Sequence, residues 1–209
     1  MPRRPIAIAV LATVAVAATA APLGVSARAA PPEAQAAAAD GPVAAYDRWK
    51  WLKNTYWIVP QNGIYSVLHV KDKNKFVLVE GQTVFHITDY FNGYWTGAVV
   101  VKLSRALVPS CQFVLGQVTP EGKVAMTMYD ATDGSVVNYP VGTMVKKNGA
   151  WTMVNEMTNV LRDGGTLSHW AYMVQTKPGD RTWKNLPFAH QSVPEFLSSC
   201  PEGPTIQRR

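Results

Sequence analysis

Short runs of β-branched and aromatic residues, separated by turn signals, follow one another from Tyr56 to about residue 175. Each run has a length typical of one strand, and dipeptides such as Asn92-Gly93 and Asn148-Gly149 favour tight turns between strands. The runs predict strands over 56–59, 64–70, 75–80, 83–88, 94–104, 112–118, 123–129, 141–146, 150–158 and 166–175. Many short strands with few helical segments are typical of an antiparallel meander, which closes into a barrel or packs as a sandwich.

Two hairpins are the clearest in the pattern. Residues 119–122, Thr-Pro-Glu-Gly, connect strands 112–118 and 123–129, and Asn148-Gly149 connects 141–146 and 150–158. Asn-Gly between two apolar runs is the strongest short hairpin signal, because both residues readily adopt positive φ. We therefore expect these strand pairs to lie side by side.

Charged residues indicate which face of a strand meets water, because successive side chains point to opposite faces. An outward Lys102 places Trp95 inside, and an outward Lys123 places Met126 and Met128 inside. An outward Lys75 likewise places two apolar side chains inside: Phe76 and Leu78. In strand 150–158 the more apolar face carries Trp151, Met153, Asn155 and Met157. The pattern thus gathers tryptophan and methionine side chains on one inner face.

The shared inner face is a candidate ligand site, because thioether and aromatic groups form an adaptable apolar wall. The predicted lining residues are Trp95, Met126, Met128, Trp151, Met153 and Asn155. Two other interpretations fit the same residues. In the first, the side chains only fill the core, since small barrels are either packed or hollow. In the second, the methionines bind copper(I), which prefers soft ligands.

The N-terminal segment has the three parts of a secretory signal peptide. Arg3 and Arg4 precede an apolar run from Ile6 to Ala21, and Ala27-Arg28-Ala29 fits a cleavage site, as does Ala18-Thr19-Ala20. A retained anchor is the alternative, but the run is shorter than the roughly 20 residues that span a bilayer. We predict a signal peptide over 1–29 and a secreted or periplasmic protein with no membrane span after cleavage.

Cleavage lowers the formal net charge from +6 by three, because Arg3, Arg4 and Arg28 are lost without any acidic residue. The basic character is thus partly a property of the leader and gives no support to nucleic-acid binding. Residues 30–39 lack large apolar groups and are predicted to be a flexible linker. Asp40 as N-cap and apolar residues at helical spacing predict a helix over 40–54, at the start of one domain over 40–200.

Cys111 and Cys200 are the two cysteines of the chain. In an oxidising compartment such a pair is most simply a disulfide, and it would tie the end of the domain to the middle of the chain. A reactive or metal-bound thiol pair is the alternative, although no CxxC spacing is present. Residues 201–209 are predicted to be a frayed tail.

Two polar groupings are candidates for catalysis. The first is the turn segment that contains His86 and Asp89, where the alternative is that Asp89 only makes the turn. The second is formed by Asn155, Glu156, His169 and Tyr172 on adjacent strands, where histidine is poised to transfer protons near neutral pH. Strand parity turns Glu156 away from the interior, so a solvated cross-strand ion pair is the alternative.

Several chemistries lack their sequence signatures. The chain has no Gly-x-Ser-x-Gly elbow, no phosphate-binding glycine loop, no His-Glu-x-x-His and no zinc-type cysteine spacing. The histidines at 69, 86, 169 and 190 share no ligand spacing. We therefore predict no metal and no cofactor.

The predicted meander resembles, in architecture alone, the small β-barrels of the lipocalin or calycin kind, preceded by a helix and followed by a disulfide-tethered tail. A β-sandwich is the alternative fold. The leading functional hypothesis is an exported barrel that encloses a small apolar or aromatic ligand. The alternatives are a metal-free barrel enzyme for proton transfer, isomerisation or cyclisation, and a surface protein that binds a macromolecule through helix aromatics. The sequence does not specify the oligomeric state.

Overall fold

The computed structural model describes residues 41–104, 106–161 and 163–208. The predicted signal peptide over 1–29 and linker over 30–39 lie outside these residues. The described chain is mostly antiparallel β-sheet with few helices, which confirms the all-β class. None of the described helices combines the length and the apolar character needed to cross a membrane.

The predicted helix over 40–54 is divided in two. Helix α1 spans Gly41–Asp47, and a separate 3-10 turn spans Lys50–Leu52. Trp49 lies at the junction and is buried, and its backbone N–H donates to the carbonyl of Tyr46 over 3.0 Å. The change of helix type brings neighbouring tryptophans, Trp49 and Trp51, against the same surface of the sheet.

The described residues form ten strands, mostly close to the predicted ones. They are β1 Thr55–Ile58, β2 Tyr65–Val70, β3 Lys75–Phe91, β4 Tyr94–Leu103, β5 Ser110–Val118, β6 Lys123–Asp130, β7 Val136–Asn138, β8 Val141–Lys147, β9 Ala150–Val160 and β10 Thr166–Thr176. The tight turns at Asn92-Gly93 and Asn148-Gly149 have positive φ at both residues, as the hairpin prediction requires.

The predicted break between strands 75–80 and 83–88 is wrong, because β3 runs through Gly81 and Gln82 without interruption. A Cβ on Gly81 would lie 2.7 Å from Leu103 Cδ2, so glycine here permits close strand approach and not a turn. Gln82 is fully buried, and its Nε2 donates to the carbonyl of Val59 over 3.0 Å. One long strand therefore replaces the two that the turn residues predicted.

The strand pairings form a ring. Each strand pairs with the next in the order β2, β3, β4, β5, β6, β8, β9 and β10, and β10 pairs with β2 to return to the start. Strand β1 pairs with residues 84–87 of β3 and with residues 174–176 of β10. Strand β7 pairs only with β6. The sheet thus encloses an interior instead of ending in two free edges.

The inner and outer strand faces predicted from the charged residues are observed for most of the ring. Trp95, Met126, Met128 and Met153 are buried in one core cluster, and Trp151 packs against it. The expectation for Phe76 and Leu78 is wrong, because they are 75% and 63% exposed.

The reason lies in the position of Lys75. β4 ends at Leu103, which pairs with Gly81, so the first six residues of β3 extend beyond β4. Lys75 has the inward parity of the buried Val79, but at this tip both sides meet water. An exposed charge there does not mark the outer face.

Four tryptophans pack together at the end of the ring that carries the β5–β6 and β8–β9 turns. Trp49 and Trp151 have ring centroids 5.0 Å apart, and Trp51 lies 6.1 Å from Trp57 and 6.4 Å from Trp151. The indole N–H of Trp49 donates to the carbonyl of Thr119 over 2.8 Å. The helix aromatics therefore pack onto the ring, and this end is closed.

The C-terminal segment forms a second layer on the outer face of β3 and β4. It contains two short helices, α2 Arg181–Lys184 and α3 Val193–Leu197. Ser192 and Glu195 form a capping box at the start of α3. The layer and the sheet share a second apolar cluster of buried residues: Ile58, Val84, Val100, Leu186, Val193 and Phe196.

The disulfide between Cys111 and Cys200 is present and ties this layer to the second residue of β5. The chain beyond it, expected to be frayed, crosses β3 and β4. The carbonyl of Pro204 accepts from the hydroxyls of Thr88 and Thr96 over 2.8 and 2.7 Å. The backbone N–H of Ile206 donates to Asp89 over 3.3 Å. These polar contacts hold residues 204–206 on the sheet.

Candidate functional site

The predicted ligand-lining residues lie together in the interior. Trp95, Met128 and Met153 are at most 2% exposed, and they share one cluster with Met126 and, at its margin, Trp151. Trp95 lies over Gly116, where a Cβ would come within 1.9 Å of the indole ring. These side chains pack against one another, and their role in ligand binding stays a prediction.

Asn155 is fully buried, as strand parity predicted, and neither atom of its side-chain amide has a hydrogen-bond partner among the described residues. It lies between Gly142 and Ala171 on the neighbouring strands. Trp95 Nε1 is a further buried polar atom for which the described residues provide no partner. Buried polar groups are nearly always bonded, so the interior contains hydrogen-bonding capacity that the described side chains do not use.

The ring has a seam between β2 and β10. These strands pair only from Val67 to His69 and from Thr166 to Ser168, and β10 then continues without β2 until it meets β1 at Val174. The 3-10 turn Gln61–Gly63 lies beside β10 in this gap. An open surface groove lies along this seam.

The groove along this seam has a volume of about 750 Å³. Its walls come from the turn Gln61–Gly63 and strands β2, β3, β8, β9 and β10. Tyr65, Leu78 and Trp170 line it and are 46%, 63% and 58% exposed. Trp170 and Tyr172 stack with ring centroids 6.5 Å apart, and Lys147 Nζ lies 5.1 Å from the Tyr172 ring. Exposed apolar side chains concentrated in a groove of this size make it the candidate site for a small molecule.

His169 lies at the floor of the groove. It has the inward parity of Leu167 and Ala171, and its Nε2 is 3.1 Å from the carbonyl oxygen of Gly63. Burial lowers the pKa of His169, and the contact with the carbonyl of Gly63 opposes this with a smaller effect. The imidazole is therefore neutral at pH 7. A carbonyl oxygen only accepts, so Nε2 carries the proton and Nδ1 is left as an acceptor.

Glu156 and Tyr172, from the same predicted polar group, also line the groove, whereas Asn155 does not. Glu156 pairs with Trp170 across the β9–β10 ladder, whereas His169 pairs with Met157. Alternation therefore puts Glu156 and Tyr172 on the outer face and His169 on the inner face. The seam brings the three residues to one groove, although no hydrogen bond joins them.

A small internal cavity of about 30 Å³ lies behind the seam. Ser66, Met157 and His169 line both the cavity and the groove, so the two spaces meet at these side chains. The cavity is too small to enclose a ligand of drug size, which needs roughly 300 Å³ or more. It fits a group about as large as one water molecule.

The other predicted polar segment lies beneath the C-terminal segment, where His86 and Asp89 make separate contacts. Asp89 is buried and accepts from Lys53 Nζ over 2.7 Å and from the N–H groups of Tyr90 and Ile206. The hydrogen bond from Lys53 is the largest cause that lowers the pKa of Asp89. His86 stacks on Tyr56 with centroids 4.2 Å apart, under the C-terminal layer. The structure does not bring His86 and Asp89 to one site, and these contacts explain Asp89 as a clasp between three segments.

Comparisons with protein-family models, with curated proteins and with solved structures found no match to this chain.

Sequence reasoning missed Tyr65 and Trp170 as site residues. A signal was present in strand 166–175, where an outward Glu156 on the paired strand places its cross-strand partner Trp170 on the same outer face. An exposed tryptophan on a strand is uncommon and often marks a binding surface. Tyr65 carried no such signal, because its place beside β10 depends on a pairing between distant parts of the chain.

Proposed function

We propose that this chain is an exported protein, that its strand ring is a small lipocalin-like barrel, and that it binds a small apolar or aromatic molecule. The groove lined by Tyr65, Leu78, Trp170 and Tyr172 supports this proposal most strongly. The ligand lies on these exposed side chains and not wholly within the ring. The signal-peptide pattern and the disulfide support export to an oxidising compartment.

The position of the ligand follows from the space available. The interior around Trp95 and Met153 is filled by packed side chains, and the internal cavity holds about 30 Å³. The groove is about 750 Å³ and needs no rearrangement of the core. Flat aromatic walls such as Trp170 and Tyr172 offer large contact area at a small entropic cost, which favours planar or extended apolar ligands.

Ligand titrations test the proposal. A panel of naphthalene derivatives, medium-chain fatty acids and short-chain quinones is titrated into the mature protein, followed by calorimetry and tryptophan fluorescence. We expect at least one class to bind, with Trp170→Ala weakening it about tenfold, since removing one aromatic contact costs on the order of 1 kcal/mol or more. Tyr94→Ala, which removes an exposed aromatic outside the groove, is the matched control.

Two results would contradict this proposal. If no class binds, ligand binding itself is wrong. If a ligand binds and Trp170→Ala leaves its affinity unchanged, the groove is not the site. The enclosed site predicted around Trp95, Met126, Met128, Trp151, Met153 and Asn155 then becomes the better hypothesis.

A metal-free enzyme is the second candidate, and the neutral His169 in the groove favours it. An unprotonated imidazole beside a ligand groove can act as a general base, with Tyr172 and Glu156 as further polar groups. Proton abstraction from 5-nitrobenzisoxazole, a general probe for a base in an apolar site, tests this. Catalysis that is lost in His169→Gln and retained in His190→Gln supports the enzyme, and a rate equal to that of free imidazole contradicts it.

A further inference from the structure

Of the described residues that line the internal cavity behind the seam, six have polar side chains and none is Asp, Glu, Lys or Arg. Ser66, Thr83, Gln112, Asn138, Asn159 and His169 provide its polar lining, and the remainder is apolar apart from the backbone of Gly81. Ser66, Thr83, Gln112 and Asn138 are each at most 8% exposed. A charged group in this space would lose its hydration without a counter-charge, so the lining favours a neutral polar group.

Two of these side chains have acceptor atoms that nothing in the described chain satisfies. Asn138 donates from Nδ2 to Asn159 Oδ1, which leaves Asn138 Oδ1 without a partner. Gln112 Oε1 is buried and also has no partner. A buried acceptor without a hydrogen bond costs free energy, so both atoms favour a hydrogen-bond donor in the cavity.

His169 adds a third acceptor at the junction of cavity and groove. Its Nε2 donates to Gly63, and its Nδ1 accepts while the ring is neutral. The cavity and its entrance thus carry acceptors from three separate segments: Gln112 on β5, Asn138 on β7 and His169 on β10. Such a set selects for a neutral donor and against a ligand end that only accepts.

We propose that the ligand of the groove is a neutral molecule with a terminal hydroxyl group, and that the hydroxyl enters the internal cavity while the apolar body lies on Trp170 and Tyr65. The volume of about 30 Å³ suits a hydroxyl and excludes a larger head group. This inference rests on the proposed function, because it names the ligand class for the same groove.

Three matched naphthalene compounds test the inference by calorimetry with the mature protein. They are 2-(naphthalen-2-yl)ethanol, 2-propylnaphthalene, in which a methyl replaces the hydroxyl, and 2-(naphthalen-2-yl)ethylamine, which carries an ammonium at pH 7. We expect the alcohol to bind about tenfold more tightly than the methyl analogue, since the latter leaves buried acceptors unpaired. The ammonium compound is expected to bind more weakly than the alcohol, because its charge is not compensated.

Gln112→Met tests whether Gln112 Oε1 accepts a hydrogen bond from the ligand hydroxyl. Methionine has a similar length and no acceptor oxygen, so the affinity for the alcohol should fall towards that for the methyl analogue. The thermal midpoint should not fall, because Gln112 Oε1 accepts no hydrogen bond from the described residues. Gln117→Met, at an exposed position on the same strand, is the matched control. Asn138→Leu provides a second variant if Gln112→Met does not fold.

The outcomes separate this inference from the proposed function. If the alcohol and the methyl analogue bind equally, or if the ammonium compound binds most tightly, the hydroxyl inference is wrong while ligand binding in the groove stands. If the alcohol is preferred and neither Gln112→Met nor Asn138→Leu reduces the preference, the cavity is not its site. If none of the three compounds binds, the proposed function fails, and the inference fails with it.

Discussion

The outer face of β3 and β4 and the outer face of β2 and β10 are both apolar, but only the first is covered. Val84 and Val100 are fully buried beneath Phe196 and its neighbours, whereas Val67 and Trp170 are 42% and 58% exposed. In both regions the strands carry apolar residues on both faces, a pattern that is typical of sheets covered by another layer on each face. The comparison indicates that the covered face serves stability, and the bare face is the one to which we assign the proposed ligand binding.

Removal of the disulfide should have the largest effect on this contrast. We expect Cys111→Ala combined with Cys200→Ala to lower the free energy of unfolding by about 4 kcal/mol, because the bond closes a loop across 89 positions of sequence. Urea denaturation measures the loss, and hydrogen exchange should rise most in residues 181–206. Ser110→Ala, at the exposed neighbouring position, is the control. An unchanged urea midpoint would show that the covering layer is held without the covalent tie.

A matched pair of aromatic truncations should show the next largest difference. Phe196→Ala removes a side chain that is 1% exposed beneath the layer, and we expect it to lower the free energy of unfolding by about 3 kcal/mol. Trp170→Ala removes a larger but exposed side chain and should change it by less than about 0.5 kcal/mol. Equal losses in urea denaturation would mean that the bare face is also a structural surface.

The clasp at Asp89 should have a smaller effect that depends on pH. We expect Asp89→Asn to lower the free energy of unfolding by about 1–2 kcal/mol at pH 7, because the buried carboxylate accepts from Lys53, Tyr90 and Ile206. The pKa of Asp89 is lowered in the folded state, so its contribution is present above about pH 4, the pKa of an unfolded aspartate, and is lost as the pH falls below it.

Urea denaturation of the wild type and Asp89→Asn between pH 2 and pH 7 checks this dependence. The two proteins should converge at the acid end. Asp72→Asn, an exposed substitution in the turn of the bare β2–β3 hairpin, should stay within about 0.5 kcal/mol of the wild type throughout. A difference that persists unchanged at pH 2 would rule out the carboxylate as its source.

The local features of the fold could be predicted from the sequence. Asn92-Gly93 and Asn148-Gly149 fix their hairpins because both residues tolerate positive φ. Lys102 and Lys123 mark the water face of strands that lie within the ring. Lys75 misleads because it lies beyond the end of β4, where the rule that one face is buried no longer applies.

The candidate site could be predicted only in part. His169, Tyr172 and Glu156 were found as polar groups on paired strands, and the structure places them in the same groove. The groove itself exists because the pairing of β10 with β2 ends at Ser168, and no local pattern in the sequence determines where this pairing ends. The orphan acceptors on Gln112 and Asn138 likewise depend on packing between distant segments.

The order of the covering layer along the chain has a consequence for biogenesis. All ten strands of the described chain precede Leu186, Val193 and Phe196, so a chain that emerges from its N-terminus forms the sheet before its cover is available. During that interval Val84 and Val100 meet water, and the thiol of Cys111 awaits Cys200. Newly made molecules are thus most prone to aggregate and to form intermolecular disulfides just before the last segment arrives.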